Sequence, residues 1–127
     1  MSAGPDLIHQ VEIDHYAATC TVENGTIVVR MRGNADVVAK PHVVELLAQV
    51  DAHALAIKAK EAVVDVKELY FMNSTCLSLV MRWVSQLSER TGSQRFPVRF
   101  VTNKNLRWQQ RSLSAISTLA RGLVTID

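Results

Sequence analysis

The sequence lacks the features that mark disulfide-stapled, repetitive and membrane proteins. Its 127 residues include two cysteines, Cys20 and Cys76, too few and too far apart for a disulfide framework or a recognisable metal site. No internal repeat or linker is visible, and no apolar run reaches the ~18 residues that a membrane helix needs. The N-terminal residues 1–14 contain three acids and no run typical of a signal peptide. We therefore expect reduced thiols, a cytoplasmic location and no membrane insertion.

The composition is that of an ordinary globular protein. Hydrophobic residues make up 48% and charged residues 20%, which argues against disorder. A chain of this length buries enough surface to fold without staples. We expect an N-terminal extension over residues 1–15 and one domain over residues 16–127.

The charge is unevenly distributed along the chain. Residues 1–81 carry six Lys/Arg and ten Asp/Glu, whereas residues 82–127 carry eight Lys/Arg and two Asp/Glu. Such asymmetry can indicate a nucleic-acid surface. However, the basic residues of the C-terminal part are scattered over two predicted helices and a strand, so a solvated surface is the better interpretation. These residues are Arg82, Arg90, Arg95, Arg99, Lys104, Arg107, Arg111 and Arg121.

The residue pattern predicts alternating strands and helices. Asn24-Gly25 is the preferred pair for a two-residue turn, which predicts a β-hairpin of two strands, with Gly33 and Asn34 breaking the second. Apolar residues at three- and four-residue steps predict three helices, and short β-branched runs predict three further strands. The predicted elements are strands 17–23 and 26–32, a helix from Pro41, strand 62–66, a helix ending at Thr91-Gly92, strand 96–102, helix 106–120 and strand 123–126. Crossovers of this kind build an α/β fold with a mixed, mostly parallel sheet, opened by the hairpin, with helices packed on it.

A cluster of small polar residues, Asn73 to Cys76, lies between the third strand and the second helix. In such a sheet, ligand and partner sites collect where strand carboxyl ends meet helix N-termini. A helix N-terminus favours anions, so a hydroxyl here is well placed to carry a phosphate. The alternative is that these residues only cap the helix.

The stretch "EAVVDVKELYFMNSTCLSLVMRW" resembles the central motif of the sulphate transporter and anti-sigma factor antagonist (STAS) family. In that motif an apolar strand with one Asp leads to Asp-Ser-Ser-Gly-Leu and an amphipathic helix. Asp65 matches the strand acid, residues 70–72 match the apolar approach, and residues 73–76 replace Asp-Ser-Ser-Gly. "IVVRMRGNADVVAKPHVVELL" and "VRFVTNKNLRWQQRSLSAISTLARGLVTI" resemble the flanking elements, so the resemblance covers residues 16–127.

The resemblance implies a non-catalytic protein that works by partner switching. It implies docking onto a serine/threonine kinase or anti-sigma factor with a histidine-kinase-like ATPase fold. The kinase would phosphorylate Thr75, with Ser74 as the neighbouring acceptor, and a cognate phosphatase would reverse the modification. The partner-binding residues implied are Gly33, Asn34, Asp36, Asn73, Ser74, Thr75, Cys76, Ser78 and Arg82. No catalytic residue, cofactor or metal is expected.

Three departures from the family motif keep other functions open. Asn73 replaces an acid, Thr75 replaces Ser, and Cys76 replaces Gly. One alternative is a constitutive STAS adaptor subunit of a signalling scaffold or lipid-transport complex, without a phosphate cycle. A third is a weak nucleic-acid binder through the basic C-terminal half. The sequence does not determine the oligomeric state.

Overall fold

The computed structural model describes residues 6–127, in which six strands and three α-helices build one mixed sheet with a layer of helices. The strands are β1 (Asp6–Ile13), β2 (Tyr16–Glu23), β3 (Thr26–Ala35), β4 (Ala62–Met72), β5 (Val98–Val101) and β6 (Val124–Ile126). The helices are α1 (Lys40–Ile57), α2 (Ser74–Ser88) and α3 (Arg107–Leu119). A short 3-10 helix, Gly92–Gln94, precedes β5.

The strands lie side by side in chain order. β1, β2 and β3 form an antiparallel meander, whereas β3 to β6 run parallel to one another. Each parallel pair is joined by one helix, so α1, α2 and α3 all begin at the edge where β3, β4 and β5 end. The predicted α/β fold with a mixed, mostly parallel sheet is confirmed.

The predicted hairpin joins β2 and β3. Asn24 and Gly25 both have positive φ, at 55° and 80°, as a type I′ turn requires. This turn matches the right-handed twist of the strands, which explains why the Asn-Gly pair is effective here.

Alternate residues of the sheet point towards the helices and form the core. The core contains inward-facing residues of every strand from β2 to β6 together with the buried stripe of each helix. Its strand residues include Tyr16, Ala18, Cys20, Ile27, Val29, Met31, Val64, Val66, Val98, Phe100 and Val124. The opposite face of β1 to β4 carries charged side chains that pair across strands, such as Arg32 with Glu12 and Arg30 with Glu23.

One strand was not predicted, and two others extend beyond their predicted limits. β1 was not predicted: it lies in the predicted N-terminal extension, of which residues 1–5 fall outside the described part, and it pairs with β2 along its whole length. β3 was predicted to break at Gly33 and Asn34, but it continues to Ala35 because a register shift between these two residues absorbs the irregularity. β4 likewise continues to Met72 instead of ending at Val66.

The end of β4 extends past β5, and the beginning of α3 satisfies its free carbonyl groups. β5 pairs only with residues 62–65 of β4. Beyond them, buried Gln109 donates through Nε2 to the carbonyls of Val66 and Leu69, at 2.6 and 3.1 Å. Its Oε1 accepts from the Asn103 backbone N–H at 2.8 Å. Side chains of α3 therefore replace a sheet neighbour where β4 approaches α2.

No helix within residues 6–127 is long and apolar enough to cross a membrane.

Candidate functional site

The polar cluster forms the start of α2. Asn73 is the N-cap residue, with extended backbone, and its Oδ1 accepts from the Cys76 backbone N–H at 2.8 Å. Its own N–H donates to the carbonyl of Ala35 at 2.9 Å, which ties the end of β4 to the end of β3. Asn73 alone therefore supplies the side-chain cap of this helix.

The two candidate acceptors, Ser74 and Thr75, are exposed in the first turn of α2. Neither hydroxyl makes a hydrogen bond to the part of the protein that the structure describes. Ser78 and Arg82 are also exposed and continue from Ser74 at four-residue spacing, so they line one solvent-facing stripe. This stripe is open to a docking protein.

Cys76 points the other way, into the core. It is fully buried, and its Sγ lies 3.6 Å from the carbonyl oxygen of Asp36, in the β3–α1 loop. Burial raises the pKa of the Cys76 thiol, and the nearby Asp36 carboxylate adds to this effect, while Lys40 opposes it. These surroundings disfavour a thiolate, so Cys76 lacks the properties of an activated nucleophile.

Asp36 organises the loop before α1. Its Oδ1 accepts from the backbone N–H groups of Val38 and Ala39, each at 3.1 Å, and lies 2.9 Å from Nε2 of His15. The hydrogen bond from His15 is the main reason that the pKa of Asp36 is lowered. This carboxylate is therefore held as an anion beside the start of α2.

Gly33 brings this loop close to the β1–β2 turn. Its φ is +89°, and a Cβ atom at this position would stand 2.2 Å from the carbonyl oxygen of His15. The next residue, Asn34, donates its backbone N–H to that same oxygen at 2.7 Å. The predicted residues Gly33, Asn34 and Asp36 thus lie at the same edge of the sheet as the polar cluster.

Exposed apolar residues next to this site were not singled out from the sequence. Val37 and Val38 are 72% and 56% exposed in the β3–α1 loop, and Phe71 is 48% exposed at the end of β4, where it pairs with Asn34. Phe71 was assigned to the apolar approach of the motif, but apolar character alone does not distinguish a buried strand end from an exposed one. The sequence did contain one indication of this exposed apolar surface, because Val37 and Val38 are adjacent valines in the loop between a predicted strand and a predicted helix.

The structure offers no evident place for a metal ion, because residues 6–127 contain no group of three or more His, Cys, Asp or Glu side chains suited to one.

Two of the C-terminal arginines are engaged in ion pairs. Arg90 forms a bidentate pair with Asp51 of α1, at 2.8 and 2.6 Å, and Arg99 binds Glu61 and Asp127.

A solved structure described as an anti-sigma factor antagonist from Mycobacterium paratuberculosis is similar to this chain. The similarity has a TM-score of 0.61 and covers 87% of this chain and 85% of that chain, at 15% sequence identity. The chain has the STAS fold. No family model matches the sequence, and no curated protein matches it. The STAS fold predicted from the motif around Asn73 is thereby confirmed by the three-dimensional arrangement.

Proposed function

We propose that this protein is a non-catalytic regulator of the anti-sigma factor antagonist type. It binds a serine/threonine kinase or anti-sigma factor with a histidine-kinase-like ATPase fold. Phosphorylation at Thr75, or at Ser74, switches the complex off, and a cognate phosphatase restores it. The observation that carries this proposal is that Asn73 caps α2, which leaves both hydroxyls exposed at the helix N-terminus.

The docking surface that we propose consists of residues 33–39 and the exposed side of residues 73–82. Val37 and Val38 supply apolar area, and Ser78 and Arg82 supply a polar border. This combination of an apolar centre and a polar rim is typical of protein interfaces.

A phosphate on Thr75 changes the electrostatics of this surface without disturbing the core. It adds roughly 1.5 to 2 negative charges. The helix N-terminus accepts such a charge, and the Thr75 side chain is exposed, so the fold tolerates the modification. A partner that buries the docking surface must then also desolvate the phosphate, which weakens the complex.

The test is mass spectrometry of the protein captured from its native cells, with three variants in parallel. We expect phosphate on the peptide that contains Thr75, lost in Thr75→Ala or Ser74→Ala, according to which hydroxyl is modified. Ser78→Ala is the matched control, because Ser78 is an exposed hydroxyl of the same helix, and phosphate should be retained there. A kinase of the expected type should co-purify.

A constitutive adaptor is the second candidate, favoured by the exposed Val37, Val38 and Phe71, which can support an interface regardless of phosphate. Once a partner is identified, Thr75→Glu separates the two functions. A switch predicts at least about a tenfold loss of affinity relative to Ser93→Glu, equivalent to about 1.4 kcal/mol; Ser93 is an exposed hydroxyl in the 3-10 helix, outside the docking surface. Equal affinity of both variants, with no phosphate on Ser74 or Thr75, would establish the adaptor.

A further inference from the structure

The hydroxyl of Tyr16 is buried without a hydrogen bond. Tyr16 is 2% exposed, and its Oη has no hydrogen-bond partner among residues 6–127. The other buried side-chain atom of this kind in the described part of the chain is Nε2 of His9, a partly buried residue of the edge strand β1. A buried hydroxyl without a partner raises the free energy of the state that buries it, because in water the same group is hydrogen-bonded.

Tyr16 lies beneath both parts of the docking surface. It pairs with Gly33 across β2 and β3, where a Cβ atom at Gly33 would stand 3.3 Å from the Tyr16 Cα. Burial raises the pKa of the Tyr16 hydroxyl, and the nearby Cys76 thiol adds to this effect. Tyr16 therefore adjoins the end of β3, which leads into the loop of the docking surface, and the first turn of α2.

The side-chain contact that joins these two parts is weak. It runs from Cys76 Sγ to the carbonyl oxygen of Asp36 over 3.6 Å, and a thiol is a weak donor. If the loop or the first turn of α2 moves aside, water reaches the Tyr16 hydroxyl and supplies the missing hydrogen bond. The unsatisfied hydroxyl therefore reduces the free-energy difference between the closed state and such a locally open state.

We propose that the Tyr16 hydroxyl favours local opening of the docking surface, so that residues 33–39 and 73–76 rearrange more easily when a partner binds. A partner that binds the opened arrangement better than the closed one shifts the population towards it, and a smaller difference between the two states makes this shift easier. The inference rests on the proposed function only in assigning these residues to a docking surface.

The test is native-state amide hydrogen exchange, measured by NMR on the full chain and on two variants. Tyr16→Phe removes the buried hydroxyl and keeps the ring. Tyr70→Phe is the matched control, because it removes a hydroxyl from a tyrosine that is 60% exposed.

Five backbone amides report the result. The reporter amides belong to the docking surface and its border: Ala39 donates to Asp36, Asn73 to Ala35, and Leu77 to Asn73. The reference amides lie at the turn before β6, far along the sheet from β2, where both donate to the carbonyl of Ala120; they are those of Leu123 and Val124.

We expect the reporter amides to exchange about tenfold more slowly in Tyr16→Phe than in the unchanged protein, because the opened state no longer gains a hydrogen bond. The reference amides, and all five amides in Tyr70→Phe, should change by less than about twofold.

Three outcomes would overturn the proposal. Unchanged reporter amides in Tyr16→Phe would mean that local opening does not depend on the hydroxyl. Faster exchange would mean that the hydroxyl is already satisfied in the closed state, and equal slowing of reporter and reference amides would mean that the hydroxyl affects the whole domain. No partner, kinase or phosphate takes part in this assay, so its failure is distinct from a failure to find phosphate on Thr75 or Ser74.

Discussion

Gly33 occupies a position that no other residue can fill without strain. We expect Gly33→Ala to lower the free energy of unfolding by about 3 kcal/mol, because it combines a left-handed backbone with a Cβ 2.2 Å from a carbonyl oxygen. Urea denaturation measures this change.

Gly122 provides the matched control. Its φ is +82°, but a Cβ atom there would meet nothing within 4 Å. Gly122→Ala should therefore cost only the backbone strain, about 1 kcal/mol. Equal losses at the two positions would mean that the contact with His15 does not constrain the β3–α1 loop.

A stability measurement can distinguish Asn73, which caps α2, from Thr75, which is exposed and does not. We expect Asn73→Ala to lower the free energy of unfolding by about 1 kcal/mol, because it removes the bond to the Cys76 N–H. Thr75→Ala should change it by less than about 0.5 kcal/mol, as expected for an exposed side chain without a hydrogen bond. A loss in Thr75→Ala as large as that in Asn73→Ala would show that the Thr75 hydroxyl acts as a cap.

This division of roles could not be predicted from the sequence. Asn73, Ser74 and Thr75 are all good N-cap residues, and which one caps depends on where β4 ends. The chain was predicted to leave the strand at Val66, but β4 continues to Met72, which places Asn73 at the N-cap. Local pattern identified the site, and the long-range pairing of β4 with β3 determined its geometry.

Among the elements, those with strong local signals were predicted, whereas β1, which is defined by its pairing with β2, was not. The β2–β3 hairpin and the three helices follow from the Asn-Gly turn and from apolar periodicity. The apolar and polar residues of β1 do not alternate cleanly, because the pairing register shifts between Leu7 and His9. Its sequence was therefore interpreted as an N-terminal extension without a strand. β1 is a strand because it pairs with the edge of β2.

The contact between α3 and β4 depends on one buried amide. We expect Gln109→Leu to lower the free energy of unfolding by about 3 kcal/mol, because it leaves the carbonyls of Val66 and Leu69 and the N–H of Asn103 without their partner. Gln110→Leu, at the exposed neighbouring position, should stay within about 0.5 kcal/mol. If Gln109→Leu costs as little stability as Gln110→Leu, the carbonyls of β4 must be satisfied in another way.

At the scale of the whole molecule, the buried titratable groups predict lower stability at alkaline pH. Burial raises the pKa of Cys20 from 9.0 to about 11, so the native state retains a proton that the unfolded chain releases. The resulting stabilisation is complete below about pH 9 and is lost as the pH rises towards 11. Burial also raises the pKa values of Tyr16 and Cys76, in the same direction.

Denaturation midpoints measured between pH 7 and 11 check this prediction. The decline should be shallower in Cys20→Ala, which lacks one of the three groups, but it should not vanish. A decline of the same steepness in this variant would exclude Cys20 as a contributor.

The burial of both cysteines makes the protein convenient for site-specific labelling. Cys20 and Cys76 are the chain's two native thiols, and both are fully shielded from solvent. A cysteine introduced at exposed Ser78 would therefore be the one thiol open to maleimide reagents, with no native cysteine to replace first. A fluorophore there would stand on the docking surface that we propose, and it would report the arrival and departure of a partner in real time.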